Sequence, residues 1–216
     1  MKNTRLGEEN RQSFAPSAEG KFPPEPVRMA CRRTWESFPS VGYAFGFGAE
    51  ESLGEDSFYL ISLADHPLEV VFEKALWYAS VRSNRGLPGI VLEKHLNHLY
   101  EELLKNSPQK SNRNRKLLNA ESYLADLRLQ VIPENTRDFL TREFYREVGE
   151  DLRNKWPQAG NILVSAVADE FQGNRNSVLS CVEWLGQSRL FPGKWVNGVL
   201  HLIKRSREAA GAKKTK

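Results

Sequence analysis

Apolar residues along this chain recur mostly at spacings of three and four, which predicts a mainly helical protein. Residues 68–82, LEVVFEKALWYASVR, carry Val70, Val71, Ala75, Leu76, Tyr78 and Ala79 on one broad face, with Asp65 as the cap and Pro67 near the first turn. Asn84 to Gly89 ends that helix. A second helix is expected from 90 to 104, with Leu92, Leu96, Leu99 and Leu103 in register. Residues 117–131 return to the same period, and Pro133 closes them. Asn135-Thr136 then caps a helix from 137 to 156 that carries Phe139, Leu140, Phe144, Val148 and Leu152. Two stretches depart from this pattern. VGYAFGFG (41–48) alternates small with large, and SFYLISL (57–63) is β-branched and aromatic, so together they suggest a short hairpin or a pair of strands.

The last quarter holds the most specific pattern. Residues 161–171 form an apolar-periodic helix, Gln172-Gly173-Asn174 a break, and 174–188 a second helix with Val178, Val182 and Leu185 in line. Asn174 or Asn176 is its expected cap. After Pro192-Gly193, two apolar runs flank Asn197-Gly198, a strong short hairpin signal because a type I′ turn needs positive φ at both centres. The expected fold class is therefore mainly α. A helical N-terminal domain with a small β-hairpin precedes a C-terminal helix–turn–helix with a hairpin. The boundaries are a flexible leader at 1–26, a helical domain at 27–133, the terminal domain at 137–207 and a basic tail at 208–216.

Charge sharpens this picture. The whole chain carries +4, while residues 174–216 hold nine Lys/Arg and two acids, or +7, leaving −3 for the rest. A basic segment on a near-neutral body marks the side that meets a polyanion. A polar stretch at 105–116, with five basic residues and no acid, reads as a connector or as a second phosphate-contacting loop.

Other chemistry is weaker. Two distant cysteines, Cys31 and Cys181, supply neither a disulfide framework nor a zinc site and suggest a reducing compartment. His95 and His98, followed by Glu101 and Glu102, share a helix face but lack the His-Glu-x-x-His spacing of a metalloprotease. The acidic run Glu50, Glu51, Glu55 and Asp56 reads as a solvated turn. The glycines at 42–48 lack the Gly-Lys-Ser/Thr of a phosphate loop. No nucleophile elbow is present. No enzyme activity, metal or cofactor is expected. No stretch approaches the roughly 20 apolar residues that span a bilayer, and the polar N-terminus has no secretory h-region. The expected location is cytoplasmic (nucleoid-associated) or nuclear.

Helix, break, helix and hairpin, over residues from about 138 to 205, resemble the winged helix-turn-helix superfamily. The resemblance implies that 174–188 enters the DNA major groove and that 194–204 is a wing on the adjacent backbone. It points to Arg175, Asn176, Ser177, Ser180 and Gln187 on the recognition helix, to Lys194, Trp195, Lys204 and Arg205 on the wing, and to Arg207 beside it. Asn and Gln suit adenine edges, Arg suits guanine, Ser and Lys suit phosphate, and Trp195 offers a stacking ring. The exposed face of 174–188 has a single Arg and a Glu, which favours backbone-led binding over base readout. The expected function is non-catalytic binding of double-stranded DNA. The alternative is an adaptor subunit whose winged helix docks onto protein partners in a larger complex.

Overall fold

The structure is a computed structural model that describes residues 24–45 and 48–214. Those residues form eleven α-helices and one 3-10 turn. In chain order these are α1 (Glu25–Ser37), α2 (Pro39–Phe45), α3 (Gly48–Leu63), α4 (Leu68–Ser83), α5 (Gly89–Asn106), the 3-10 turn Pro108–Lys110 and α6 (Ser111–Val131). Then follow α7 (Glu134–Val148), α8 (Glu150–Lys155), α9 (Ala159–Phe171), α10 (Ser177–Leu185) and α11 (Gly193–Lys214). Residues 1–23 of the leader expected at 1–26, residues 46 and 47 of the glycine-rich stretch and the last two residues of the basic tail lie outside the described residues, while Glu25 and Pro26 already belong to α1.

Proline sets several helix starts. Pro24, Pro67, Pro88 and Pro133 stand at the N-caps of α1, α4, α5 and α7 with extended ψ near 150–160°. Proline has no N–H to leave unsatisfied there. Pro67 and Pro133 thus occupy the cap positions that Asp65 and Asn135-Thr136 were expected to fill. Gly149, at φ 96°, turns the chain between α7 and α8, and Gly173, at φ 107°, turns it after α9. These left-handed conformations strain any residue with a Cβ.

The expectation of a β-hairpin is corrected at both places, since the described residues contain no strand. In the first region, Leu53, Ser57, Leu60 and Ala64 are buried in helical register. Packing of that stripe outweighs the strand preference of the aromatic and β-branched side chains. In the second region, 194–204 lies inside α11. Trp195, Val199, Leu202, Ile203, Ser206 and Ala210 are all buried, at spacings of three, four, seven and eight. A stripe over four turns outweighs one Asn-Gly pair. The polar stretch 105–116 is also mostly helical, as the end of α5, the 3-10 turn and the start of α6.

Two apolar clusters make the core. One gathers Val27, Leu53, Leu60, Val71, Leu96, Leu99 and Leu117 with their neighbours from α1 and α3–α6. The other is built on α7–α11, around Phe144, Ile162, Leu163, Leu185 and Trp195. This second cluster also includes Phe38, Val41, Leu87 and Val91 from the N-terminal half. Trp35 on α1 packs against both.

Candidate functional site

A turn through Gly173 joins α9 to α10, and α10 is docked along one side onto the α4–α5 corner. Ser80 donates to Asn174 Oδ1 at 2.5 Å, and the Asn176 N–H donates to Asn84 Oδ1 at 3.0 Å. Ser83 and Ser177 hydroxyls lie 2.6 Å apart, and Ser180 donates to the Asn84 carbonyl at 3.0 Å. Trp184 Nε1 donates to the Gly86 carbonyl at 3.2 Å. Gly86 permits this approach: a Cβ there would stand 3.0 Å from both Ser180 O and Trp184 Nε1. The corner between α4 and α5 therefore covers the side of α10 that carries Ser177 and Ser180. Ser177 is fully buried, so its hydroxyl serves the core rather than a groove edge.

Trp195 is likewise a core residue. It is 0% exposed and donates from Nε1 to the Leu185 carbonyl at 2.7 Å. Its ring stacks on Phe191 and meets Phe144 edge-on, so it offers no face to a base. Gln187 donates back to the Glu183 carbonyl, which holds it against its own helix. Arg207 is held by both oxygens of Glu170 at 2.7 and 2.8 Å.

The exposed residues of this module include Asn176, Leu179, Leu190, Leu200 and several cations. Arg175, Lys194 and Lys204 are exposed. The Arg205 guanidinium lies 5.6 Å above the Phe139 ring of α7, which fixes it beside that helix. Helices α7 and α11 run antiparallel. The Lys194 Nζ lies near Gly149, Gly198 packs on Val148 and Phe144, and Arg205 reaches Phe139. From Lys194 to Arg205 this edge spans about 16 Å at 1.5 Å per residue. Arg142 is exposed one turn along α7 from Phe139. His201 meets Glu147 on the same edge at 2.8 Å.

His95 and His98, which the sequence puts on one helix face, are both interior. His95 is fully buried, with Thr34 Oγ1 3.0 Å from Nδ1 and Ser57 Oγ 2.9 Å from Nε2. Burial lowers its pKa to about 3, and that of His98 to about 4. Both hydroxyls also sit within 2.8 Å of a backbone carbonyl, that of Ala30 or Leu53. A neutral imidazole has one N–H and one acceptor nitrogen. One hydroxyl must therefore give its proton to the ring instead of to its carbonyl. Among the described residues no group of three or more His, Cys, Asp or Glu is placed to hold a metal ion.

Sequence reasoning passed over the buried charges. Asp169 lies in a largely apolar helix and is 4% exposed. It accepts from Ser83 Oγ at 2.6 Å and from the Gly89 N–H, at the start of α5, at 2.8 Å. Burial pushes its carboxyl up to about 7, while those two donors and Arg128 pull the other way. Arg128 and Glu93 form a buried forked pair, with Nη2 2.7 Å and Nε 2.9 Å from the carboxylate. Both border a cavity of about 560 Å³ among α1, α5, α6, α7 and the start of α9. An acid inside the apolar run 162–168 plus Phe171 was the visible signal for Asp169. Nothing local announced the Arg128–Glu93 pairing, which needs two helices to meet.

No protein-family model, curated protein or solved structure matches the chain. No helix among the described residues is long and apolar enough to cross a membrane.

Proposed function

We propose that the protein is a non-catalytic DNA-binding protein that contacts the duplex backbone through the edge between α7 and α11. One observation carries this reading. Arg142, Arg175, Lys194, Lys204 and Arg205 have no carboxylate partner among the described residues, whereas most cations of the N-terminal half are paired. Unpaired cations on a helix edge are free to neutralise phosphates and release counterions. Four of the five lie along α7 and α11, so α10 serves as a support and not as the reader of bases. Phosphate contacts of this kind position a protein without specifying sequence.

Binding to a random duplex, followed by fluorescence anisotropy across a salt series, tests this. Engagement of three or four phosphates gives a slope of about −3 in log affinity against log salt. The triple variant Lys194→Glu, Lys204→Glu, Arg205→Glu should weaken binding and flatten that slope, with helix content unchanged. Arg175→Glu should have a smaller effect, because Arg175 stands in the turn before α10, away from the α7–α11 edge. Equal binding by the triple variant would rule out this edge.

A second reading, as an adaptor that docks onto protein partners, is favoured by Leu179, Leu190 and Leu200, which are 60%, 53% and 53% exposed. Its mark is one defined partner that co-purifies with the native chain and is lost on Leu179→Ser with Leu200→Ser, while duplex binding is unaffected.

A further inference from the structure

The cavity among α1, α5, α6, α7 and α9 has the volume of a small-molecule site, about 560 Å³ against the usual ~300–1,000 Å³. Its wall carries charges of both signs, Glu36, Glu93 and Glu121 with Lys94, Arg128 and Arg137. Glu121 and Arg128 both line it from α6, seven residues apart. Seven residues are close to two helical turns, so the two side chains share a face about 10 Å apart at their backbones.

Each pole is reinforced by a helix end. Glu36, also on the wall and paired with Arg32 Nε at 2.9 Å, stands in the last turn of α1, where unpaired carbonyls concentrate partial negative charge. Glu121 takes a hydrogen bond from the Ser122 hydroxyl and has no cation partner among the described residues. Partial burial raises its pKa. At the other pole, Gln158 and Asn161 bring the start of α9 to the wall, with Gln158 left-handed at φ 68°. Arg128 engages Glu93 through Nε and Nη2, and Arg137 engages Glu134 and Asp138 through Nε and Nη2. Among the described residues no acceptor is recorded for Nη1 of either guanidinium. A simple anion that filled the cavity would face the carboxylates of Glu36 and Glu121. A simple cation would face Arg128, Arg137 and Lys94, which also lines the wall.

We propose that this cavity binds a small zwitterion of short-peptide size, its ammonium end at Glu121 and Glu36 and its carboxylate end at Arg128, Arg137 and the start of α9. Three extended residues span about 10 Å, comparable to the backbone spacing of Glu121 and Arg128 along α6. The inference uses none of the α11 cations and stands apart from the DNA reading.

The test is isothermal titration of the full chain with Ala-Ala-Ala, with its N-acetylated form, with its C-amidated form and with inorganic phosphate. The free tripeptide should bind with a dissociation constant below about 1 mM, and each cap should weaken it by about tenfold. Glu121→Gln should weaken the free tripeptide and remove the penalty for acetylation while keeping the penalty for amidation. Arg137→Met should do the reverse. Circular dichroism checks that each variant is folded, and if Arg137→Met is not, the Glu121→Gln pattern decides alone. No binding at about 10 mM, equal binding of the capped forms, or tighter binding of phosphate than of the peptide overturns the proposal.

Discussion

At the residue scale, the buried carboxyl of Asp169 ties stability to pH. Its folded pKa of about 7 stands above the ordinary 3.8. Between those values the native state holds a proton that the unfolded chain has released, so this group lowers stability as pH rises through the window. Below pH 3.8 both states are protonated, and above 7 the loss is complete. Asp169→Asn keeps an oxygen for the Gly89 N–H and for Ser83 and removes the titration. The difference in unfolding free energy, variant minus native, should therefore grow from pH 4 to pH 7 by up to about 4 kcal/mol. Urea titrations at several pH values measure it, and a difference that stays flat would place the Asp169 pKa near its ordinary value. Trp195 makes a related point about exposure. Its sequence setting, beside Lys194 and before Asn197-Gly198, resembled an exposed wing, yet the ring sits at the centre of an aromatic cluster with Phe144, Trp156 and Phe191. Exposure of an aromatic residue is set by what packs on it, and its neighbours in sequence are a poor guide.

Gly198 decides the geometry at the scale of the element. It stands within α11, where an added Cβ would lie 2.5 Å from Val148 Cγ1 and 3.3 Å from the Phe144 ring. The glycine is there to let α11 cross α7 closely, not to make a turn. Alanine at 198 gains helix propensity of about 1 kcal/mol but meets a wall that must move, at about 1–3 kcal/mol. Gly198→Ala should therefore destabilise the protein on balance. Gly211, on the same helix, has nothing within 4 Å of the place a Cβ would take. Gly211→Ala should stabilise the protein by about 0.5–1 kcal/mol. Thermal melts of the two variants should move in opposite directions, and two shifts of the same sign would contradict the crossing geometry. The helix positions of α4 to α6 and of α9 were legible from periodicity, and so was the turn at Gly173, whereas the single helix expected at 137–156 is broken at Gly149 into α7 and α8. The helix at 193–214 was not. Its apolar stripe was present, but Asn-Gly gave a competing local signal, and only contact with α7 shows which one prevails.

Over the whole molecule, the two halves share a core. The cluster on α7–α11 contains Phe38, Val41, Leu87 and Val91, and α10 is fastened to the α4–α5 corner by Ser80, Ser83, Asn84 and Gly86. A fragment of residues 134–216 loses those apolar partners and exposes the buried hydroxyl and carboxyl of Ser177 and Asp169. Each hydrogen bond exchanged for one to water costs about 0.5–1.5 kcal/mol net, and the lost apolar contacts add to that. The fragment should keep helical far-ultraviolet signal while losing near-ultraviolet signal and sharp amide dispersion. A well-dispersed spectrum from the isolated fragment would show instead that the terminal module folds by itself.

The sequence determined the helical class, the places of most helices and the excess of cations near the C-terminus. These follow from periodicity and composition, which act within a few turns of chain. Only the tertiary structure decided which helix faces remain open. Ser177 and Ser180 read as ligands until the α4–α5 corner covers them, and the paired charges of Arg128 and Glu93 meet only because α5 and α6 lie side by side. Burial is a property of what arrives from elsewhere in the chain, and no local pattern encodes it.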